Sequence, residues 1–239
     1  MVAMLTQYGF PIVNSANVFS VLEELGIKRW PRIEGPVLLE KYLGQDLTDR
    51  QKREVEKFAP RVEVDIFEDP TGRPFTGFRA AWHYGAGTHV FTILPGDLVP
   101  IAAEFRHGAE VISLILPGGT FEEKDSTPGQ CAKREFEAET GIMLDYVMPL
   151  ETLDISGIPV SARQTNQRCH GFLGVLPQSL KIAEQRLEPR EFLKIVLIPV
   201  SEWVRLIMDG QVKEGSAIIS TFQALHRLNR IALLEGGSK

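Results

Sequence analysis

The chain is poor in cysteine, with 2 in 239 residues. Cys131 and Cys169 build no disulfide framework, and the compartment expected for them is a reducing cytoplasm. Nor is there an apolar run near the ~18 residues a membrane helix needs. The longest, Phe192–Val200, contains Lys194, so no membrane partner is expected. Basic residues are not in excess: 26 Lys and Arg stand against 31 Asp and Glu, a net charge of -5. A non-specific nucleic-acid binder needs a basic field, so that class is excluded. The first Lys or Arg is Lys28, which argues against a secretory signal at the N-terminus. The 5 histidines are scattered without zinc-ligand spacing. Nucleophile elbows, glycine-rich phosphate loops and Cys–His pairs are missing too.

What is present is an ordinary globular composition, 44% hydrophobic and 24% charged. Periodicity and breakers predict helices over Val18–Leu25, Val37–Leu43 and Leu47–Phe58, the last with Thr48 and Gln51 as a capping box. Pro31, Pro36 and Pro60 punctuate this stretch. Residues 1–60 therefore read as a helical extension, with no chemistry attached, before a main domain at 61–239. Strands are expected over Arg61–Glu68, Phe75–Tyr84, Thr88–Leu94, Leu98–Arg106 and Glu110–Leu116. Later strands are expected over Leu144–Thr152, Cys169–Leu176 and Phe192–Val200. Two helices follow, Glu202–Met208 capped by Ser201, and Ser216–Leu228.

The informative stretch is LPGGTFEEKDSTPGQCAKREFEAETGI, Leu116–Ile142. It reads as a strand end, a glycine turn, an acidic loop and a helix. Thr127 can cap the helix, Pro128 suits its first position, Gln130 completes a capping box and Gly141 ends it. Glu135 and Glu139 then lie about 40° apart on one helix face. Two carboxylates a turn apart repel, and a hard divalent cation such as Mg²⁺ reverses that interaction. Glu137 points elsewhere. Ala138 holds the position beside Glu135 where a third ligand is expected.

This stretch resembles the Nudix box, which reads Gly, five residues, Glu, seven residues, then Arg-Glu-hydrophobic-any-Glu-Glu-any-Gly-hydrophobic. Gly119 fits the opening glycine, and Arg134-Glu135-Phe136 and Glu139-Thr140-Gly141-Ile142 fit the close. Asp125 stands where the family has Glu, eight residues rather than seven precede Arg134, and Ala138 replaces the penultimate Glu. The resemblance implies an α/β fold, an α/β/α sandwich with a mixed sheet, its box helix packed through Ala132 and Phe136. Arg134 is expected to hold the acidic loop through a carboxylate.

The order of elements also resembles the ADP-sugar pyrophosphatase branch. There an aromatic-Arg pair precedes a strand ending in Pro-(Ala/Gly)-Gly, as Phe105-Arg106 and Pro117-Gly118-Gly119 do here. The resemblance implies a diphosphate contact for Arg106 and a metal-binding main-chain carbonyl at Gly118, beside Glu135 and Glu139. It implies a general base in the charged loop Ser179–Glu191, at Glu188 or Glu191 with a slight preference for Glu188, and a homodimer. The cofactor is Mg²⁺, with Mn²⁺ the alternative. The polar loop Gly157–Gln167 beside the helix makes Arg163 and Gln167 candidate substrate contacts. The expected reaction is hydrolysis of a nucleoside diphosphate derivative, with ADP-ribose or another ADP-sugar foremost. The rival expectation, motivated by Ala138 and Asp125, is a Nudix-fold nucleotide-binding or regulatory protein that has lost catalysis.

Overall fold

The computed structural model describes residues 6–33, 36–81, 86–122, 124–151, 157–159, 165, 167–188 and 191–231. Within them the helices are α1 (Val18–Glu24), α2 (Leu39–Leu43), α3 (Asp49–Phe58), α4 (Pro128–Thr140), α5 (Val200–Met208) and α6 (Gly215–Arg227). The strands are β1 (Arg61–Glu68), β2 (Pro74–Ala81), β3 (Ala86–Phe91), β4 (Leu98–Arg106) and β5 (Val111–Ile115). They continue as β6 (Tyr146–Pro149), β7 (Ile158–Pro159), β8 (Arg168–Val175) and β9 (Leu193–Pro199).

One sheet has the order β5-β4-β9, all antiparallel. Another has the order β3-β8-β6, with β3 parallel to β8 and β7 paired on β8. The arrangement is the expected mixed α/β/α type. Alternation along the strands builds it, because successive side chains leave opposite faces. Ile195 and Leu197 of β9 join Ala132 and Phe136 of α4 in one core. Val196 and Ile198 join Trp203 and Leu206 of α5 in the other, with Ala224 and Leu225 of α6. A sheet covered on both faces has no polar side, hence the near-continuous apolar run of β9.

The residues before β1 are of two kinds. Tyr8 and Phe10 pack in the α4 core, and Val13, Val18, Val21, Leu22 and Ile27 pack in the α5–α6 core. The backbone adds to β9: Leu197 N–H donates to Pro11 O at 2.9 Å, and Val13 N–H to Leu197 O at 2.9 Å. Helices α2 and α3 contribute far less burial, although α3 carries the expected Thr48–Gln51 capping box. Helix α2 starts at Leu39, two residues later than expected.

The Ser201 cap is corrected. Helix α5 starts at Val200 with Pro199 at the N-cap and no side-chain cap bond. The Val200 N–H donates to Asp97 O at 2.9 Å, which satisfies one of the helix's free donors by a tertiary contact instead. β1 and β2 form a separate two-stranded ribbon. Its turn is closed by Asp69, whose side chain accepts from Thr71 N–H at 2.8 Å and Arg73 N–H at 3.0 Å. The expected continuation of β2 to Tyr84 lies outside the described residues.

Leu22 tests whether the N-terminal residues are structural. It is 1% exposed and surrounded by core side chains. Leu22→Ala is expected to lower unfolding free energy by about 2–5 kcal/mol. Urea denaturation checks this, and a change within about 0.5 kcal/mol, the scale of surface substitutions, contradicts it.

Candidate active site

The site starts from a close approach of backbones. The turn after β5 lies along β3: Val90 N–H donates to Pro117 O at 2.9 Å and Thr88 N–H to Gly119 O at 2.8 Å. A Cβ on Gly118 would fall 2.0 Å from Thr88 O. No residue but glycine fits at that distance. A Cβ on Gly119 would fall 2.7 Å from Cδ of Glu135. The two glycines thus let the turn press on the strand on one side and on the helix on the other.

Helix α4 is set by strong local signals. Thr127 Oγ1 accepts from Gln130 N–H at 3.2 Å, Pro128 occupies the first turn, and Gly141 leaves in the left-handed conformation at φ 67°. The expected capping box is incomplete, because Gln130 Oε1 instead accepts from Ser126 N–H at 3.2 Å. Ala132 and Phe136 anchor the helix to the sheet. Glu135 and Glu139 then face the glycine turn. Gly118 N–H donates to Glu139 Oε2 at 2.9 Å. Arg134 Nη1 donates to Glu135 Oε1 at 2.6 Å. Glu137 points to the other side, where Leu144 N–H donates to its Oε1 at 2.9 Å.

Arg134 holds the acidic loop as expected. Its Nε and Nη2 donate to the two oxygens of Asp125 at 2.9 and 2.7 Å. Those bonds hold the Asp125 carboxyl down at about 2. Charge-assisted bidentate pairing of this kind fixes both position and orientation.

Electrostatics gather more carboxylates here than the helix supplies. Burial pushes the Glu139 carboxyl well above the ordinary glutamate range, and Glu191, Glu135 and Glu104 push the same way. Burial also raises Glu135, with Glu191 adding to it and Arg134 opposing. Glu104 is raised by burial, opposed by Arg106, and raised again by Glu191 and Glu214. Of the two loop candidates, Glu191 is the one whose charge acts on Glu104, Glu135 and Glu139. Glu188 serves it through the main chain, its N–H donating to Glu191 Oε2 at 2.7 Å.

The loop before β9, which carries Glu188 and Glu191, is fastened to the end of α4. Arg186 N–H donates to Ala138 O and Ala183 N–H to Gly141 O, each at 2.8 Å. The Gln185 side chain donates to Glu139 O. These bonds satisfy the carbonyls a helix leaves free at its C-terminus.

Arg106 pairs with Glu104 at 3.0 Å and remains about half exposed. Gln167 N–H donates to Thr165 Oγ1 at 3.0 Å, and among the described residues no contact joins Gln167 to the carboxylates. Arg163 lies outside the described residues. Two neighbours escape a reading of the sequence. Glu104 is one, since on paper it is only an ion-pair partner for Arg106. Trp30 is the other: it is 49% exposed, with its ring centroid 5.6 Å from Phe105 and 5.4 Å from Phe192. These are the residues beside Arg106 and Glu191. No local signal marks either, because only tertiary contact places them here.

The donors suit a hard cation. All are oxygens, and Glu139 is 5% exposed with carboxylates around it. Such a group is unfavourable unless neutralised. Among the described residues no three His, Cys, Asp or Glu side chains are placed to share one ion as they stand. Glu135 and Glu139 offer carboxylate oxygens beside the glycine turn, the donor type a hard divalent cation takes.

The fold and site define a mixed α/β protein with a carboxylate centre at a glycine turn. The NUDIX domain model matches residues 84–215. The chain belongs to the Nudix family, a family of hydrolases acting on pyrophosphate bonds. A solved structure described as an ADP compounds hydrolase superposes with a TM-score of 0.59 at 17% identity, covering 72% of this chain and 90% of that one. At that identity the likeness concerns the fold. No curated protein gives a significant sequence match.

Asp125→Asn is expected to destabilise the chain by about 2–3 kcal/mol near neutral pH. The carboxyl is lowered from 3.8 to about 2 by folding. Its contribution is therefore complete above the unfolded value and lost as pH falls from 3.8 towards 2. Urea denaturation of both chains across that range checks it: the gap must close on acidification, and a constant gap refutes the pairing as its source.

Proposed function

We propose that the chain hydrolyses the diphosphate bond of a nucleoside diphosphate derivative, most favourably ADP-ribose or another ADP-sugar. The observation that carries this is the placement of Glu135 and Glu139 against the Gly118–Gly119 turn. The ADP-sugar preference is supported by the fold neighbour described as an ADP compounds hydrolase and by the order of Phe105-Arg106 before Pro117-Gly118-Gly119.

Glu135, Glu139 and the Gly118 carbonyl would hold Mg²⁺ or Mn²⁺. Such an ion neutralises diphosphate charge and lowers the pKa of a bound water. Arg106 offers a planar guanidinium to the diphosphate. Trp30 offers an exposed ring on which the base stacks, held upright by Phe105 and Phe192. Glu191 accepts the proton of the attacking water. Water oxygen bonds to one phosphorus, the bridging P–O bond breaks, and the products are a nucleoside monophosphate and a sugar phosphate. The same reading takes the protein as a cytoplasmic homodimer.

The test is release of monophosphate from ADP-ribose with Mg²⁺ present and with it chelated. Glu139→Gln and Glu191→Gln are each expected to lower kcat by about 10²–10⁴ with the fold intact, the range for positioned acid–base groups, whereas Glu188→Gln keeps most activity. Equal losses at Glu188 and Glu191 overturn the choice of base. Binding of ADP-ribose without any Mg²⁺-dependent turnover leaves only the nucleotide-binding reading. Trp30→Ala is expected to raise KM about tenfold with a smaller effect on kcat, in line with about 1–3 kcal/mol for base–aromatic stacking. An unchanged KM removes Trp30 from the site.

A further inference from the structure

Glu104 is a carboxylate of the centre that no step above uses. It lies on β4 two residues beyond Ala102, which packs in one core with Ala132 and Phe136 of α4. Side chains two apart on a strand leave the same face, so Glu104 also lies on the α4 side. Its charge acts on Glu139. Its side chain is 22% exposed, and among the described residues it pairs only with Arg106, at 3.0 Å. Across the strand pair, Ser113 of β5 stands opposite Glu104. Opposed residues share a face, with Cβ atoms about 4.5–5.5 Å apart. Ser113 is 1% exposed, and among the described residues its Oγ has no hydrogen-bond partner. Buried hydroxyls are seldom left in that state. Helix α4, for its part, is one carboxylate short, with Ala138 where a third ligand is expected.

We infer that Glu104 is a third carboxylate ligand of the divalent cation, released to it when the substrate diphosphate takes Arg106, and that the Ser113 hydroxyl then donates to Glu104 and orients it. The inference deepens the hydrolytic reading and rests on it for the cation and the diphosphate. The partner of Glu104 is the residue offered to the diphosphate, so binding substrate takes that partner away. A largely buried carboxylate stripped of its cation is unfavourable, and a hard cation beside Glu135 and Glu139 restores the balance. A carboxylate that binds metal is itself held by a hydrogen bond, and Ser113 is the donor left unused beside it. With Arg106 still on Glu104, no three side chains among the described residues share one ion, as this exchange requires.

The test is Mn²⁺ binding to the full chain, read from the paramagnetic resonance of free Mn²⁺. The companion ligand is ADP-ribose with a methylene in place of the bridging oxygen, which resists hydrolysis at that bond. Glu104→Gln keeps the shape of the side chain and is expected to weaken Mn²⁺ binding about ten- to a hundredfold, with an unchanged circular dichroism spectrum. Glu104→Asp keeps the charge and withdraws the oxygens, and a loss of about tenfold there separates ligation from charge acting through space. Glu214→Gln removes another carboxylate whose charge acts on Glu104, and is expected to change the affinity less than about threefold. Ser113→Ala is expected to cost about tenfold in Mn²⁺ affinity without lowering stability to urea, because the hydroxyl it removes has no partner. Unchanged affinity in the Glu104 variants overturns the inference, as do equal losses at Glu104 and Glu214. Unchanged affinity in Ser113→Ala overturns the part given to Ser113. Should Glu104→Gln not fold, Glu104→Asp decides. An unsubstituted chain that takes up no Mn²⁺ beside the analogue overturns the hydrolytic reading as well, whereas Mn²⁺ held equally by that chain and the Glu104 variants overturns this inference alone.

Discussion

The contact on which the rest depends is the Gly118–Thr88 approach. A strand amide and a turn carbonyl can exchange bonds there only because Gly118 has no side chain to strike Thr88 O. That approach fixes the turn, and the turn in turn presents the Gly118 N–H to Glu139. A buried carboxylate without a donor would be costly, so the bond both orients Glu139 and offsets part of its desolvation. Gly119 performs the corresponding service for Glu135 by leaving room for its side chain. Two glycines and two glutamates therefore form one arrangement, with the core contacts of Ala132 and Phe136 holding the helix against it.

The arrangement is electrostatically unfavourable taken alone. Like charges about 4 Å apart repel by about 4 kcal/mol at the effective dielectric of a protein surface. The nearby cations reach only part of the group: Arg134 binds Asp125 and Glu135, and Arg106 binds Glu104, while among the described residues no ion pair reaches Glu139. A site that keeps its carboxylates raised and poorly neutralised is stabilised by whatever cation it binds, by mass action. Conflict between local stability and arrangement is what a functional centre shows and a solvated acidic helix face does not.

Much of this was legible in the sequence where the signal is local. Helix α4 occupies Pro128–Thr140, as Thr127, Pro128 and Gly141 dictate, and β4 occupies Leu98–Arg106, bounded by the Pro95-Gly96-Asp97 turn. Arg134 pairing with a loop carboxylate followed from the motif. What was not legible depends on residues far apart in the chain. Tyr8–Ile27 joins the cores because its backbone meets Leu197, a contact no helical period announces. The Ser201 cap fails because a distant carbonyl, that of Asp97, reaches Val200 first. Glu191 and Glu188 look alike as letters, and only the folded chain shows the charge of Glu191 acting on Glu139. Trp30 carries no pattern of its own and gains meaning from Phe105 and Phe192.

Loop docking also gives the position of Ala138 a structural part. Ala138 supplies no carboxylate, yet its carbonyl accepts from Arg186 and so helps fasten the acidic loop to the helix end. Ala183, Gln185 and Arg186 supply three donors there. The charge of Glu191 on this loop acts on Glu139, as does that of Glu104 from the end of β4. The acidic neighbourhood is thus assembled from three elements. The helix contributes two carboxylates, the sheet Glu104 and the loop Glu191.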